Sequence, residues 1–113
     1  MTAAQFSEYW GAVHAPLVAE RAAVLGIRRY AQMRTVDAPS LHAALQARNG
    51  GSPEPFDGIA ELWFDSVDAF TASRDPAAQT AAAELLEDER RFIDLASSPM
   101  WLSEERVIVG SQQ

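Results

Sequence analysis

Between Phe56 and Phe70 the chain reads FDGIAELWFDSVDAF: a turn, a strand and the capped start of a helix. No other stretch constrains the fold as tightly. The strand, Ile59 to Phe64, sorts its side chains by alternation. Ala60, Leu62 and Phe64 fall on one face, and Ile59, Glu61 and Trp63 on the other. The first face is apolar packing. The second sets a carboxylate between a large aromatic and an isoleucine, and a carboxylate is costly to bury without a partner. That face is therefore either wet or the lining of a cavity that uses Glu61.

The rest of the chain must supply what packs on this strand. Its 113 residues predict one domain, spanning 1–113. At 48% hydrophobic and 22% charged it is globular in composition rather than disordered. No apolar run approaches ~18 residues, so no membrane span is predicted. No basic flank precedes an apolar block, so no signal peptide is predicted and the expected compartment is the cytoplasm. A net charge of −7 without a basic stripe argues against nucleic acid and membrane surfaces as partners. The absence of cysteine excludes disulfides, thiolate nucleophiles and cysteine metal sites. All nine basic residues are arginine, which excludes Schiff-base chemistry on lysine. Histidine occurs only at 14 and 42, leaving few candidates for acid–base work near neutral pH.

Residues 3–25 read as helix, with Phe6, Tyr9, Trp10, Val13, Leu17 and Val24 sharing one side. Pro16 lies inside this pattern and predicts a kink or break, with Pro16 near the first turn of a second piece. Gly26 is the expected stop. His14 falls just before the break, at the edge of the stripe. Ile27 to Val36 reads as a strand, with Ile27, Arg29, Ala31 and Met33 on a helix-covered face. Tyr30, Gln32 and Arg34 are then expected on the other face, beside Glu61 and Trp63. The connection from Asp37 to Asp57 has the length of a lid or binding loop. It holds a predicted helix from Ser40 to Arg48, capped by Ser40, with His42 exposed.

After the opening strand, Asp65 or Ser66 caps a helix to about Ser73. Asp75-Pro76 starts another, running to about Leu95 with Leu85, Leu86, Phe92 and Leu95 buried. Met100 to Leu102 form a bridge, Arg106 to Val109 a last strand, and Gly110 to Gln113 a loose end. Asp88, Glu89 and Asp94 are expected on a solvated or inter-subunit charged face. The order helix, strand, strand, helix, strand is the ferredoxin-like split βαβ fold, α+β with an antiparallel sheet, less one strand at the front. Helices cover one face of such a sheet. The bare face would expose Trp63, Tyr30 and Ile59, so a partner is expected on it.

The segments FSEYWGAVHAPL (Phe6 to Leu17), RRYAQ (Arg28 to Gln32), DGIAELWFDSVDAF (Asp57 to Phe70) and EDERRFID (Glu87 to Asp94) resemble the EthD domain family. The resemblance covers nearly the whole chain. It implies a dimeric α/β barrel, in which two ferredoxin-like sheets of a homodimer pack face to face around a cavity. Relatives of similar fold include cofactor-free polyketide cyclases, decarboxylases and muconolactone isomerase. The family pattern begins with a strand ahead of Phe6. The expectation is a chain that starts at an internal methionine without that strand, leaving a gap that destabilises the sheet or is filled by another chain. Arg34 departs from relatives, which are often polar there, and changes which ligand charge is tolerated.

These readings put His14 first as a catalytic residue, a general acid or base beside a substrate carbonyl, as the resemblance implies. The alternative is a histidine that satisfies backbone freed by Pro16. Tyr30 either orients His14 or donates to an oxyanion, or is a sheet aromatic. Glu61 either sets the histidine tautomer or pairs with Arg29 or Arg34. Trp10, Gln32, Arg34, Glu61 and Trp63 are the expected substrate-binding set. No zinc pattern, phosphate loop or nucleophile elbow is present, and no metal or cofactor is expected. The expected function is cofactor-free isomerisation, cyclisation or decarboxylation of a small hydrophobic carbonyl or phenolic compound. The alternatives are a metabolite-binding accessory module and a purely structural dimer.

Overall fold

A computed structural model describes residues 1–72 and 75–111. Helix α1 (Ala3–Tyr9) opens with a capping box: Thr2 Oγ1 accepts from Gln5 N (3.1 Å), and Gln5 Oε1 accepts from Thr2 N (2.7 Å). The backbone then widens into a π-helical turn, Trp10–His14, and resumes as α2 (Ala15–Leu25). Pro16 has no N–H to give and its ring crowds the preceding turn. The wide turn answers both problems. Ala15 N–H reaches back five residues to the Trp10 carbonyl, and the helix continues without a break. Gly26, with φ 76°, ends α2.

One extra residue in a turn rotates everything downstream by about 100°. The buried side of the helix therefore runs Trp10, His14, Val18, Leu25. Val13 and Val24, which unbroken helical spacing puts on the apolar stripe, are each 42% exposed. His14, expected at the edge of the stripe, is inside.

Strand β1 (Arg29–Arg34) pairs antiparallel with β2 (Gly58–Trp63), from Arg29 opposite Trp63 to Arg34 opposite Gly58. Gly58 lies against the Trp10 ring, and Tyr30 and Phe64 pack on the core. The helix-covered face thus carries Tyr30, Gln32 and Arg34, with Ala60 and Leu62 opposite them. The expected placement of Tyr30, Gln32 and Arg34 beside Glu61 and Trp63 is corrected. Ile27 sits ahead of the paired residues, in the turn out of Gly26, so its inward direction does not extend along the pleat.

Between the strands, α3 (Pro39–Arg48) starts from Ala38 without a side-chain cap, not from Ser40, and buries no residue. His42 on it is half-buried. Helix α4 (Val67–Thr71) is capped by Ser66, whose Oγ accepts from Ala69 N. Asp65 instead pairs with Arg28 at 2.9 Å. Ser73, the expected end of this helix, lies outside the described residues, as do Gln112 and Gln113. Helix α5 (Pro76–Glu89) starts as expected, with the Asp75 carboxylate accepting from Ala78 N.

The core lies between α2, α5 and the start of β1: Val18, Leu25, Ile27, Ala78, Ala81 and Leu85. Helix α5 ends earlier than Leu95. Phe92 is buried beyond it, while Leu86 and Leu95 are exposed. The last strand expected at Arg106 to Val109 does not form: Ile108 is 79% and Val109 93% exposed, and a strand needs a neighbour to bond to. The result is an α+β fold with a two-stranded antiparallel sheet, a small ferredoxin-like arrangement short of a strand.

Gly58 gives this packing a direct check. A Cβ there would lie 2.7 Å from Trp10 Cη2 and 2.8 Å from the Met33 carbonyl oxygen, which cannot swing away. Gly58→Ala is expected to cost about 1–3 kcal/mol in urea unfolding. At Gly11, where an added Cβ meets nothing within 4 Å, Gly11→Ala is expected to be neutral or stabilising, by up to ~1 kcal/mol.

Candidate functional site

The π turn meets the end of α5 across an aromatic cluster. Phe92 stacks within 5.0 Å of the His14 ring and 4.9 Å of Tyr9, and Phe6 joins it at 5.7 Å. Under this cluster Asp88, 2% exposed, holds three donors. His14 Nδ1 lies 2.8 Å from Oδ2, while Tyr9 O–H (2.6 Å) and Arg91 Nη1 (3.1 Å) donate to Oδ1. Burial pushes the Asp88 carboxyl up, but the hydrogen bonds from Tyr9, His14 and Arg91 outweigh it and hold it below its ordinary value. Asp88 is therefore an acceptor only. Nδ1 of His14 carries the proton that faces it, and in the neutral ring Nε2 keeps its lone pair.

Nε2 lies 3.8 Å from Oε2 of Glu89, too far for a hydrogen bond. Burial raises the Glu89 carboxyl above its ordinary value; His14 opposes the shift and Asp88 adds to it. Burial likewise raises Tyr30, partly offset by the donor Gln32, so Tyr30 stays a phenol. Gln32 Nε2 donates both to the Tyr30 oxygen (2.9 Å) and to the Trp10 carbonyl (3.0 Å). The Tyr30 oxygen is thus an acceptor here, and its own O–H has no acceptor among the described residues.

From the expected set, Gln32 joins Trp10 to Tyr30 by hydrogen bonds, and Glu89, beside His14 Nε2, lies near enough to Tyr30 to help raise its pKa. Glu61 and Trp63 stand on the opposite face of the sheet, and Arg34 is exposed at the end of β1. Arg29, not a carboxylate, neighbours Trp63, with its guanidinium 6.0 Å from the ring. Asp88, Glu89, Tyr9 and Arg91 are the residues that sequence reasoning left out, since Asp88 is buried and Glu89 half-buried rather than solvated. A signal existed. The buried positions of α5 are Ala78, Ala81, Leu85 and Asp88, at steps of three and four residues that put Asp88 on the apolar stripe.

Two surface hollows, of about 590 and 390 Å³, open beside Tyr9 and Val13 and beside Phe92 and Arg91. Neither is lined by His14, Tyr30 or Glu89. Among the described residues no group of three or more potential ligands is placed to hold a metal ion, and no helix is long and apolar enough to cross a membrane.

The family model of the EthD domain matches residues 1–96. The chain belongs to the EthD domain family. No curated protein and no solved structure gives a significant match. In this EthD domain the candidate residues come from three of the resembling segments: His14 from the first, Tyr30 and Gln32 from the second, Asp88 and Glu89 from the last. Residues 97–113 lie beyond the family match.

The two carboxylates give opposite pH signatures. Asp88, with its depressed pKa, contributes stability that is full above the ordinary value of 3.8 and is lost as pH falls through the folded-state value. Glu89, with its raised pKa, contributes stability below the ordinary 4.5 that is lost as pH rises through the folded-state value. Asp88→Asn is expected to lower neutral-pH stability by about 1–3 kcal/mol and to flatten its decline in acid. Glu89→Gln is expected to equal or exceed the wild type at neutral pH, and to lose the wild type's fall in stability between mildly acidic and neutral pH. Urea titrations from strongly acidic to neutral pH measure both.

Proposed function

We propose that this EthD domain is a cofactor-free enzyme moving a proton on a small hydrophobic carbonyl or phenolic compound, in an isomerisation, cyclisation or decarboxylation. The supporting observation is the buried His14–Asp88 pair, with Nδ1 2.8 Å from Oδ2. A carboxylate on Nδ1 fixes the tautomer, aims Nε2 outward from the pair and stabilises the imidazolium formed when Nε2 takes a proton. Tyr30 supplies the second group. Gln32 occupies its oxygen as a donor, so the phenol O–H is free to donate to a developing oxyanion. Gln32, bonded to the Trp10 carbonyl and to the Tyr30 oxygen, holds the phenol in place. The half-buried Glu89 beside Nε2 favours the protonated ring once the proton has arrived.

The open sheet face, with Met33, Ile59, Glu61 and Trp63, is assigned to contact with a second copy. Its apolar members Met33 and Ile59 are 40% and 45% exposed. Arg34, Glu61 and Trp63 then act at the subunit contact or the pocket rim, not on the proton.

A second reading has its own support. His14 is only 4% exposed and neither hollow reaches it. A domain that holds a metabolite in another hollow, with the His14–Asp88 pair as a structural clasp, would look the same.

A panel of small phenols and β-keto acids, followed by thermal shift for binding and by mass spectrometry for conversion, separates the two. The enzyme reading expects His14→Ala to keep ligand binding and to lose about 10²–10⁴-fold in turnover. It expects Tyr30→Phe to lose less. No conversion by the wild type, together with binding that His14→Ala leaves intact, would establish the accessory module.

A further inference from the structure

His14 is closed off from water. The residue is 4% exposed, Phe92 lies against its ring at 5.0 Å, and neither surface hollow reaches it. A reaction that takes up or releases a proton leaves such a ring in the wrong charge state, and the proton needs a route to or from solvent. Nδ1 does not offer one. It faces Asp88, which is 2% exposed and whose three donors hold the carboxyl below its ordinary value, so this acid is a poor proton acceptor. Behind Asp88 stand Tyr9, which donates its own O–H to the carboxylate, and Arg91, which stays charged.

Nε2 faces a different acid. Glu89 Oε2 lies 3.8 Å away, and the Glu89 side chain is 29% exposed. The carboxylate is thus within reach of both the buried nitrogen and water. Burial raises the Glu89 carboxyl, toward the range of an imidazole, and no hydrogen-bond donor opposes the shift. Proton transfer needs a separation of about 3.2 Å or less. A glutamate that no donor holds in place can close that gap by turning about its side-chain torsions. Tyr30 is the other ionisable group near Glu89, and its raised pKa keeps it a phenol.

We propose that Glu89 is the proton relay of this site, carrying protons between His14 Nε2 and water. In the outward direction the Nε2–H bond of the imidazolium breaks as an O–H bond forms on Oε2. The ring returns to its neutral form, with Nδ1–H still on Asp88. The carboxylic acid turns outward, gives its proton to water and returns as the carboxylate. Recharging the ring runs the same path in reverse. Glu89 acts through His14 and not on the substrate. The use of the relay in turnover rests on the proton-moving reading of the site, but the relay itself belongs to the free protein.

The His14 ring can be followed without any ligand. Relaxation dispersion on its ¹³C-labelled carbons, at the pH where each variant holds equal charged and neutral forms, gives the rate of proton exchange with solvent. Glu89→Gln keeps the size of the side chain, removes the proton site and is expected to slow that exchange at least about tenfold. Tyr30→Phe is expected to leave the rate unchanged. A glutamate that merely plugs the opening would be replaced by glutamine without effect, and an unchanged rate in Glu89→Gln overturns the proposal. A Tyr30→Phe variant that slows exchange as much as Glu89→Gln overturns it too, because the path would then run through the phenol. Failure of the enzyme reading shows separately, as no conversion of any compound by a wild type whose ring exchange is still slowed by Glu89→Gln.

Discussion

Pro16 cannot donate a backbone hydrogen bond, and the molecule is arranged around how the chain absorbs that loss. A break would have separated two short helices, each with orphaned backbone groups at its new ends. The π turn at Trp10–His14 keeps one continuous rod at the cost of one residue of register. That one residue is decisive. It turns Val13 outward and His14 and Val18 inward, so a titratable ring occupies a core position that an aliphatic side chain would otherwise fill. It also gives the Trp10 carbonyl two donors, Ala15 N–H along the helix and Gln32 from the sheet. Gly58, lacking a Cβ, then lets the Trp10 ring rest directly on β2.

A histidine in the core needs a partner, and Asp88 supplies it from the end of α5. A buried carboxylate is itself costly, and three donors offset that cost. Its neighbour Glu89 has no such set of donors and is pushed the other way by burial. Two adjacent acids on one helix end therefore differ in proton affinity because of what surrounds them. Environments that drive neighbouring groups apart in this way suit proton transfer. This is the physical basis for reading the cluster as a site and not only as a clasp.

Much of the local structure was legible in the residues themselves. The stops and starts at Gly26, Ser66 and Asp75-Pro76 are short-range steric and hydrogen-bond effects, and they occur where the chain spells them. The faces of β2 followed from simple alternation. The faces of β1 did not, because Ile27 lies just outside the ladder and misled the count. Asp88 was legible in principle, through the spacing of Ala78, Ala81 and Leu85, but its charge suggested solvent. The segment Val107 to Val109 has strand chemistry and no strand, because pairing is decided by a neighbour and not by propensity.

By itself the sequence determined the helices and the two paired strands, the caps at Gly26, Ser66 and Asp75, the importance of Pro16 and the candidacy of His14 and Tyr30. These depend on contacts within a few residues along the chain. Tertiary structure alone decided that His14 meets Asp88, 74 residues away, that Tyr30 and Gln32 face the helices, and that Glu61 and Trp63 face away from them. A single residue of helical slip, or of strand parity, reverses such assignments. Only the packed molecule, where each buried polar group must find its partner, chooses between them.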